Sequence, residues 1–327
     1  MPLGQTVRIA GINILVVSVL LAALEVFVRL AYPEIRPLGT DSRLLADSAF
    51  ANIPGPRPGA AGRANGVLFR VDSLGFWAYG QRSDSARTSW LLLGDSATMG
   101  IGVLPDLTFA GIMADQLQSM RILNPSVIGY ASDDYLKVLS VILTSSKYQD
   151  LQIRRVTVIW CLNDIYGGVE AAADPDFAVR PFFGPLLTFV QRNVFSYQWL
   201  KAVLFDRPYR YFEHDSRLYT DENVGVAASH LKGIADLCSR HSLECDVVML
   251  PYEYQLRSGA DENAFAPQTA LTQRLERISV PVLDPSRYLA EMSQSPSELF
   301  LFGDGIHFSE EGHRLLADYL IAMQRRN

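Results

Sequence analysis

The sequence predicts an α/β fold with a parallel five-stranded sheet between two layers of helices. Short apolar runs alternate with stretches of helical apolar spacing along residues 89–327, and this alternation is typical of parallel sheets. The runs lack the polar–apolar alternation of half-exposed strands, which indicates strands covered on both faces. With 327 residues and 49% hydrophobic content, the chain is long enough to bury such a core.

The amino-terminal stretch is apolar enough to cross a membrane. Residues 7–31 form a nearly uninterrupted apolar segment, so we predict a transmembrane helix within an anchor of residues 1–32. Glu25 and Arg29 are four residues apart, and on a helix they can pair on one face near the membrane interface. A cleaved signal peptide is the alternative. The amino-terminal region holds only one basic residue, Arg8, and no small-residue cleavage site follows the segment, and both features favour the anchor.

A linker is predicted between the anchor and the main domain. Residues 33–88 are rich in Pro, Gly, Ser and Ala, which is typical of a connection laid over a surface. Within this linker, residues 66–76 have the pattern of a short strand or β-hairpin. The main domain is therefore expected to begin at about residue 89.

The elements of the main domain follow from its apolar periodicity. Strands are predicted at residues 90–93, 120–123, 156–160, 247–250 and 280–283. Helices are predicted at residues 108–118, 135–143, 224–238, 269–278 and 310–324, the last of them capped by Ser309. Each predicted strand is followed by a helix, as the connections of a parallel sheet require.

One part of the domain is an insertion. Residues 166–220 lie between a predicted strand and the next helix of the alternation, and a further helix is predicted at residues 186–204. The insertion is rich in aromatic residues, namely Phe177, Phe182, Phe183, Phe189, Phe195, Tyr197, Trp199, Phe205, Tyr209, Tyr211, Phe212 and Tyr219. Three interpretations fit them: a small satellite core, a substrate lid, or a surface within residues 177–219 for a membrane or a membrane-protein partner.

The composition argues against several functions. A formal net charge of −6 and a pI near 5.4, without any Lys/Arg-rich run, argue against a nucleic-acid partner. The cysteines Cys161, Cys238 and Cys245 lack the spacing of a zinc site or a disulfide framework, so neither a metal nor a cofactor is predicted. Cys238 and Cys245 either pair in an oxidising compartment or remain thiols.

Three residues have the types that acyl transfer by serine requires. Ser96 follows the strand at residues 90–93 in a Gly-Asp-Ser turn, at a strand end where α/β sheets place reactive loops. Asp304 and His307 are three residues apart in a glycine-containing loop, so one loop can carry both a base and the carboxylate that orients it. An ordinary turn is the alternative interpretation of each pattern.

Two further residues are candidate donors for an oxyanion. Asn163 follows the strand at residues 156–160, so its amide is expected at the same sheet edge as Ser96. Gly129 follows the strand at residues 120–123 and can present a backbone N–H without a side chain in the way. Alternatively, Asn163 caps a turn and Gly129 only permits one.

These blocks together resemble the SGNH, or GDSL-type, hydrolase family. Gly-Asp-Ser, Asn-x-x-x-x-Gly, Asn-Asp and Asp-x-x-His occur in the order that the family has. The resemblance implies that Ser96 is the nucleophile and that His307 is the general base, oriented by Asp304. It also implies an oxyanion hole formed by the Ser96 backbone N–H, Gly129 and Asn163.

The resemblance covers about residues 90–327 and extends to the membrane-anchored bacterial branch of the family. The anchor and the stretches at residues 72–76 and 307–313 look like that branch. Its members usually face outward, which implies an inner-membrane protein with an extracytoplasmic domain. Two positions depart from the family pattern: Cys161 stands where Gly is usual, and Ala97 stands where a larger hydrophobic residue usually follows the nucleophile.

The sequence therefore favours a single-pass membrane protein with a flavodoxin-like three-layer α/β/α domain. The expected activity is ester hydrolysis or acyl transfer on an ester-bearing glycan or lipid of the cell envelope, for example O-deacetylation. The alternative is a non-catalytic accessory subunit of a larger membrane complex, built on the same fold and docking through the aromatic insertion.

Overall fold

A parallel sheet forms the centre of the computed structural model, which describes residues 3–80, 88–166 and 180–325. The strands of these residues are β1 (Leu45–Phe50), β2 (Ile53–Pro56), β3 (Ala61–Ala64), β4 (Val67–Arg70), β5 (Thr88–Leu93), β6 (Met120–Leu123), β7 (Ile153–Trp160), β8 (Glu244–Met249) and β9 (Val282–Leu283). The last five pair in parallel in the order β6-β5-β7-β8-β9. This order is that of flavodoxin-like sheets, and it confirms the predicted fold class.

Two groups of helices cover the sheet. The α-helices of the described residues are α1 (Leu3–Ala31), α2 (Ser96–Met99), α3 (Phe109–Gln116), α4 (Ser132–Thr144), α5 (Arg180–Asn193), α6 (Phe195–Leu204), α7 (Arg207–Ser216), α8 (Asp221–Arg240), α9 (Glu253–Leu256), α10 (Ala266–Arg277), α11 (Ser286–Met292) and α12 (Glu310–Gln324). Helices α3, α11 and α12 pack together in one group, and α4, α8 and α10 pack together in the other. Ser309 caps α12 as predicted, because its side chain accepts the backbone N–H of Gly312.

The helix predicted at residues 186–204 is two helices in the structure. Helices α5 and α6 are separated by Val194, whose backbone is extended. The Glu25 carboxylate of α1 accepts the backbone N–H groups of Phe195 at 3.1 Å and Ser196 at 2.8 Å, and also the Ser196 hydroxyl at 2.8 Å. Since this cap comes from α1, which is distant in the sequence, apolar spacing within the segment does not show the break.

Helix α1 is long and almost entirely exposed. Its segment Val7–Ala31 has a mean hydropathy of 2.4, and 6% of the most apolar part of this segment is buried. A helix of this length and composition can cross a bilayer, and an amino-terminal signal sequence meets the same criteria. The predicted ion pair is present, with Arg29 Nε 2.7 Å from Glu25 Oε1.

Two β-hairpins lie where the sequence predicts a linker with a single short strand or hairpin. Strand β1 pairs with β2 and β3 with β4, both in antiparallel fashion. Phe50, Phe69 and Trp77 from this region are buried in the same core as the parallel sheet, and the Trp77 indole N–H donates to the Ser126 carbonyl at 2.7 Å. The region is therefore packed against the main domain, and the boundary near residue 89 stays a prediction.

The described part of the insertion also packs against the main domain. Helix α7, which the sequence does not predict, places the Phe212 ring on Tyr254 with ring centroids 4.9 Å apart. Phe177 and the side chains of Phe182 and Phe183 lie outside the described residues. Phe212 is buried in the same core as the parallel sheet, so this part of the insertion joins the main core and does not form a separate satellite core.

We expect the first hairpins to contribute to the stability of the whole domain. Replacing Trp77 by Ala should lower the free energy of unfolding by about 3–5 kcal/mol, because it removes a buried ring and leaves a cavity. Leu68→Ala is the matched control, since Leu68 is 41% exposed, and it should change stability by less than about 0.5 kcal/mol. Denaturant titration of the full chain in mild detergent measures both. Equal midpoints for Trp77→Ala and the wild type would mean that the packing of this region does not stabilise the domain.

Candidate active site

Ser96 lies at the carboxyl end of β5, where the chain turns sharply into α2. Asp95 caps this short helix, with its Oδ1 accepting the backbone N–H of Ala97 at 2.8 Å. The turn requires glycine at position 94, because a Cβ on Gly94 would lie 1.9 Å from the Thr98 hydroxyl oxygen. The turn thus fixes Ser96, which is 6% exposed, at the edge of the sheet.

One loop carries both partners of Ser96. His307 Nε2 lies 2.9 Å from Ser96 Oγ, and His307 Nδ1 lies 2.9 Å from Asp304 Oδ1. Asp304 Oδ1 also accepts the backbone N–H groups of Ile306 at 2.9 Å and His307 at 2.8 Å, which folds the loop around the carboxylate. The structure therefore brings the predicted serine, histidine and aspartate into one hydrogen-bonded line.

The charges of this loop make the histidine a stronger base. Burial alone would raise the pKa of Asp304, but the charge of His307 and its hydrogen bonds lower that pKa well below its usual range. Burial alone would lower the pKa of His307, but the Asp304 carboxylate, helped by Asp95, raises that pKa above its ordinary value of 6.5. An imidazole with a raised pKa is well suited to accept a serine proton.

Asn163 lies beside the serine turn, at the sheet edge where the sequence predicts it. It belongs to a 3₁₀ turn, Leu162–Tyr166, that follows β7, and its Nδ2 donates to Asp95 Oδ2 at 2.9 Å. Ser96 Oγ lies 3.2 Å from the same oxygen, so the amide and the hydroxyl share one neighbour. Gly129 is an exposed residue of the loop after β6, with φ of +84°. Its approach to Ser96 stays a prediction.

Several residues around Asn163 are missing from the sequence prediction. Tyr252, fully buried after β8, places its hydroxyl 3.4 Å from Asn163 Oδ1 and 2.6 Å from Asp215 Oδ2. Asp215 lies in α7 and accepts the Tyr166 hydroxyl at 2.8 Å. Asp95 adjoins Ser96 in the sequence, so its place in the site could have been predicted. Tyr252 and Asp215 have no local sequence signal, because only tertiary packing brings them together.

Helices α6 and α7 of the insertion press directly on the loop of His307. A Cβ on Gly303 would lie 2.3 Å from the Ala202 methyl group, and a Cβ on Gly305 would lie 2.5 Å from Pro208 Cβ. Both glycines have positive φ, at 63° and 81°, a conformation that other residues rarely adopt. The insertion is therefore part of the framework that holds the site.

Metal chemistry has no candidate centre in the described part of the chain. Over residues 3–80, 88–166 and 180–325, no group of three or more His, Cys, Asp or Glu side chains is arranged to hold an ion. Cys161, Cys238 and Cys245 are free thiols, and the first two are buried.

Several solved structures are similar to this chain, although no protein-family model and no curated protein matches its sequence. A member of the lipolytic protein G-D-S-L family from Veillonella parvula is 15% identical, with a TM-score of 0.42 over 73% of this chain and 100% of that chain. A lipase from a goat rumen metagenome is 14% identical, with a TM-score of 0.44 over 72% and 96%. The psychrotrophic esterase EstA from a Pseudoalteromonas species is 13% identical, with a TM-score of 0.42 over 73% and 99%. The G-D-S-L family is the one that the four sequence blocks resemble.

A second histidine of the same segment, His313, belongs to the core. It is 1% exposed, its ring stacks on Phe109 with centroids 5.7 Å apart, and its Nδ1 accepts the Phe109 backbone N–H at 3.2 Å. Burial lowers the pKa of His313 to about 3. The neutral ring of His313 therefore supports the fold.

We expect His313 to make stability depend on pH. Between its ordinary pKa of 6.5 and about 3, the unfolded chain binds a proton there that the folded chain does not bind. The free energy of unfolding should therefore fall by about 1.4 kcal/mol per pH unit as the pH decreases through this range. His313→Gln should remove this component, whereas His241→Gln, at an exposed position, should keep the wild-type slope. Denaturant titrations at about pH 7, 6 and 5 compare the three proteins, and an unchanged slope in His313→Gln would contradict this assignment.

Proposed function

We propose that the chain is a serine ester hydrolase or acyltransferase of the SGNH type. Ser96 is the nucleophile, His307 is the general base and Asp304 orients the base. The observation that carries this proposal is the line of two hydrogen bonds, 2.9 Å from Ser96 Oγ to His307 Nε2 and 2.9 Å from His307 Nδ1 to Asp304 Oδ1. This is the arrangement that nucleophilic catalysis by serine requires.

Acylation of Ser96 proceeds by two proton transfers at His307. As Ser96 Oγ attacks the ester carbonyl carbon, His307 Nε2 takes the hydroxyl proton and Asp304 stabilises the resulting imidazolium. When the tetrahedral intermediate collapses, His307 gives that proton to the departing alcohol and an acyl-serine remains. In deacylation, water in a hydrolase, or an acceptor hydroxyl in an acyltransferase, attacks the acyl carbon and gives its proton to His307. His307 then returns that proton to Ser96 Oγ as the acyl–serine bond breaks.

The negative oxygen of the intermediate needs donors that are already in place. We assign this role to the backbone N–H of Ser96, the backbone N–H of Gly129 and the Nδ2 amide of Asn163. Asn163 is held beside the serine turn by its bond to Asp95. Gly129 has open space where a Cβ would lie, so a substrate oxygen can reach its backbone.

The proposed substrate is an ester-bearing glycan or lipid of the cell envelope. Helix α1 supports this assignment, because an anchor of its length and hydropathy holds the domain at a bilayer surface. We place the chain in a bacterial inner membrane as a single-pass protein with its main domain on the extracytoplasmic side. O-Deacetylation of an envelope polymer is one reaction of this class.

The proposal predicts that Ser96→Ala abolishes hydrolysis of a short-chain aryl ester by the full chain in mild detergent. His307→Ala should lose about as much, because triad members act as a unit, and both rates should fall on the order of a thousandfold or more. Ser132→Ala is the matched control, since Ser132 Oγ lies 3.0 Å from His230 Nδ1 in a second Ser–His pair, with the serine 1% exposed. It should keep wild-type turnover.

Two outcomes of this assay oppose the proposal. Normal turnover by Ser96→Ala would remove the serine as the nucleophile. No turnover by the wild type, together with stable partners in pull-downs from native membranes, would favour the accessory subunit of a membrane complex.

The rate should also report the raised pKa of His307. Because the base must be neutral, kcat/KM should fall as the pH decreases, with a midpoint above 6.5. Asp304→Asn removes the charge that raises this pKa, so the midpoint should move to lower pH and the rate should drop sharply. Asp261→Asn, at an exposed position, should keep the wild-type midpoint. A pH–rate profile of each variant measures the shift. Equal midpoints for Asp304→Asn and the wild type would show that the Asp304 charge does not raise the pKa of His307.

A further inference from the structure

A chain of polar side chains runs from the insertion to the candidate oxyanion donor. The Tyr166 hydroxyl donates to Asp215 Oδ1 at 2.8 Å, and the Tyr252 hydroxyl lies 2.6 Å from Asp215 Oδ2. The same Tyr252 hydroxyl lies 3.4 Å from Asn163 Oδ1, and Asn163 Nδ2 donates to Asp95 Oδ2 at 2.9 Å. Tyr252 is fully buried and Asp215 is 4% exposed, so water does not compete freely for these groups.

If Asp215 is ionised, this series of side chains has too few hydrogen-bond protons for its acceptors. The Asn163 amide turns Nδ2 toward the Asp95 carboxylate, which places Asn163 Oδ1 opposite the Tyr252 hydroxyl. A phenol has a single proton, and Tyr252 has two acceptors within reach. An ionised Asp215 would take that proton and leave the lone pairs of Tyr252 facing those of Asn163 Oδ1.

We propose that Asp215 is a positioning residue that carries a proton in the folded protein. Its Oδ2 donates to the Tyr252 oxygen, and the Tyr252 proton is thereby directed to Asn163 Oδ1. Each group then donates once to the next, and the chain ends on the Asp95 carboxylate. This inference rests on the proposed function, because it concerns the orientation of the proposed oxyanion donor Asn163.

The surroundings of Asp215 raise the pKa of its carboxyl group above the ordinary value. Burial raises the pKa of Asp215, and the hydrogen bonds from Tyr252 and Tyr166, which lower it, do not offset the burial. The nearby charge of Asp95 also raises this pKa, whereas His214 on the same helix lowers it. Other titratable groups within electrostatic reach are Cys161, Asp164 and Tyr219. A buried carboxylic acid that stays neutral can serve as a hydrogen-bond donor.

The consequence for the site is a fixed amide. With Tyr252 donating to Asn163 Oδ1, the amide cannot rotate by half a turn without losing that bond and the bond to Asp95. Both N–H groups of Asn163 then lie on the side of the serine turn. One of them donates to Asp95, and the other stays free for an oxyanion. A rotated amide would instead present its oxygen to the developing negative charge.

Infrared spectroscopy tests the protonation without any turnover. The wild-type chain at about pH 7 should show a carbonyl stretching band of a buried carboxylic acid that Asp215→Asn lacks, because an ionised carboxylate has no such band. Asp221→Asn, which removes an exposed carboxylate at the start of α8, should leave the band in place. A difference spectrum without this band between wild type and Asp215→Asn would overturn the proposal.

Kinetics with the same short-chain aryl ester test the positioning. Asp215→Ala and Tyr252→Phe should lower kcat about tenfold with little change in KM, because a misplaced donor costs less than a deleted one. Asp215→Asn should recover most of the loss, since its amide donates to Tyr252 and accepts from Tyr166. An Asp215→Asn variant as slow as Asp215→Ala would count against the proposal, as would wild-type kcat in Tyr252→Phe. Tyr252→Phe keeps the test valid if either Asp215 variant fails to fold.

The two proposals can fail separately. A wild-type chain that shows the band of a buried acid but no ester turnover would refute the proposed function and leave the protonation of Asp215 standing. An active chain without the band would refute the protonation of Asp215 and leave the serine hydrolase standing.

Discussion

The buried carboxylate of Asp95 holds the candidate site together. It caps α2 through the Ala97 N–H, accepts the Asn163 amide and lies 3.2 Å from Ser96 Oγ, so one side chain joins the loops that follow β5 and β7. A fully buried charge needs such donors, because leaving it unpaired costs on the order of several kcal/mol. The proposed nucleophile and the proposed oxyanion donor therefore cannot move independently of each other.

The insertion gives this arrangement its rigidity. The loop of His307 contains two glycines with positive φ, a conformation that other residues rarely adopt. Ala202 and Pro208 press on those glycines from α6 and α7, while Asp215 reaches the polar chain behind Asn163. A segment that interrupts the regular alternation of strands and helices thus supports both sides of the site.

The sheet is predictable from the sequence because its signals are local. Ser96, Asp304 and His307 are predictable because they lie in short sequence blocks whose joint order resembles that of a known family. Apolar runs mark the strands, and the parallel topology brings Ser96 and Asn163 to one edge. Before β5, the short strand or hairpin predicted at residues 66–76 includes β4, but the hairpin of β1 and β2 is missed because Pro and Gly in its strands resemble a linker. The Asn65-Gly66 turn between β3 and β4 is a known hairpin signal. Tyr252 and Asp215 are not predictable in this way, since neither lies in a recognisable sequence motif and only tertiary packing brings them together.

The cap that Glu25 places on α6 bears on how the domain could exist in soluble form. A chain cut at Pro33 would leave the Phe195 and Ser196 donors without their acceptor. It would also lose the Arg29 guanidinium, which lies 3.9 Å from the centre of the Phe195 ring. Because α6 in turn supports Gly303, the damage would reach the loop of His307. The last turns of α1 therefore supply contacts that hold α6, and a cut upstream of Glu25 would leave these contacts intact.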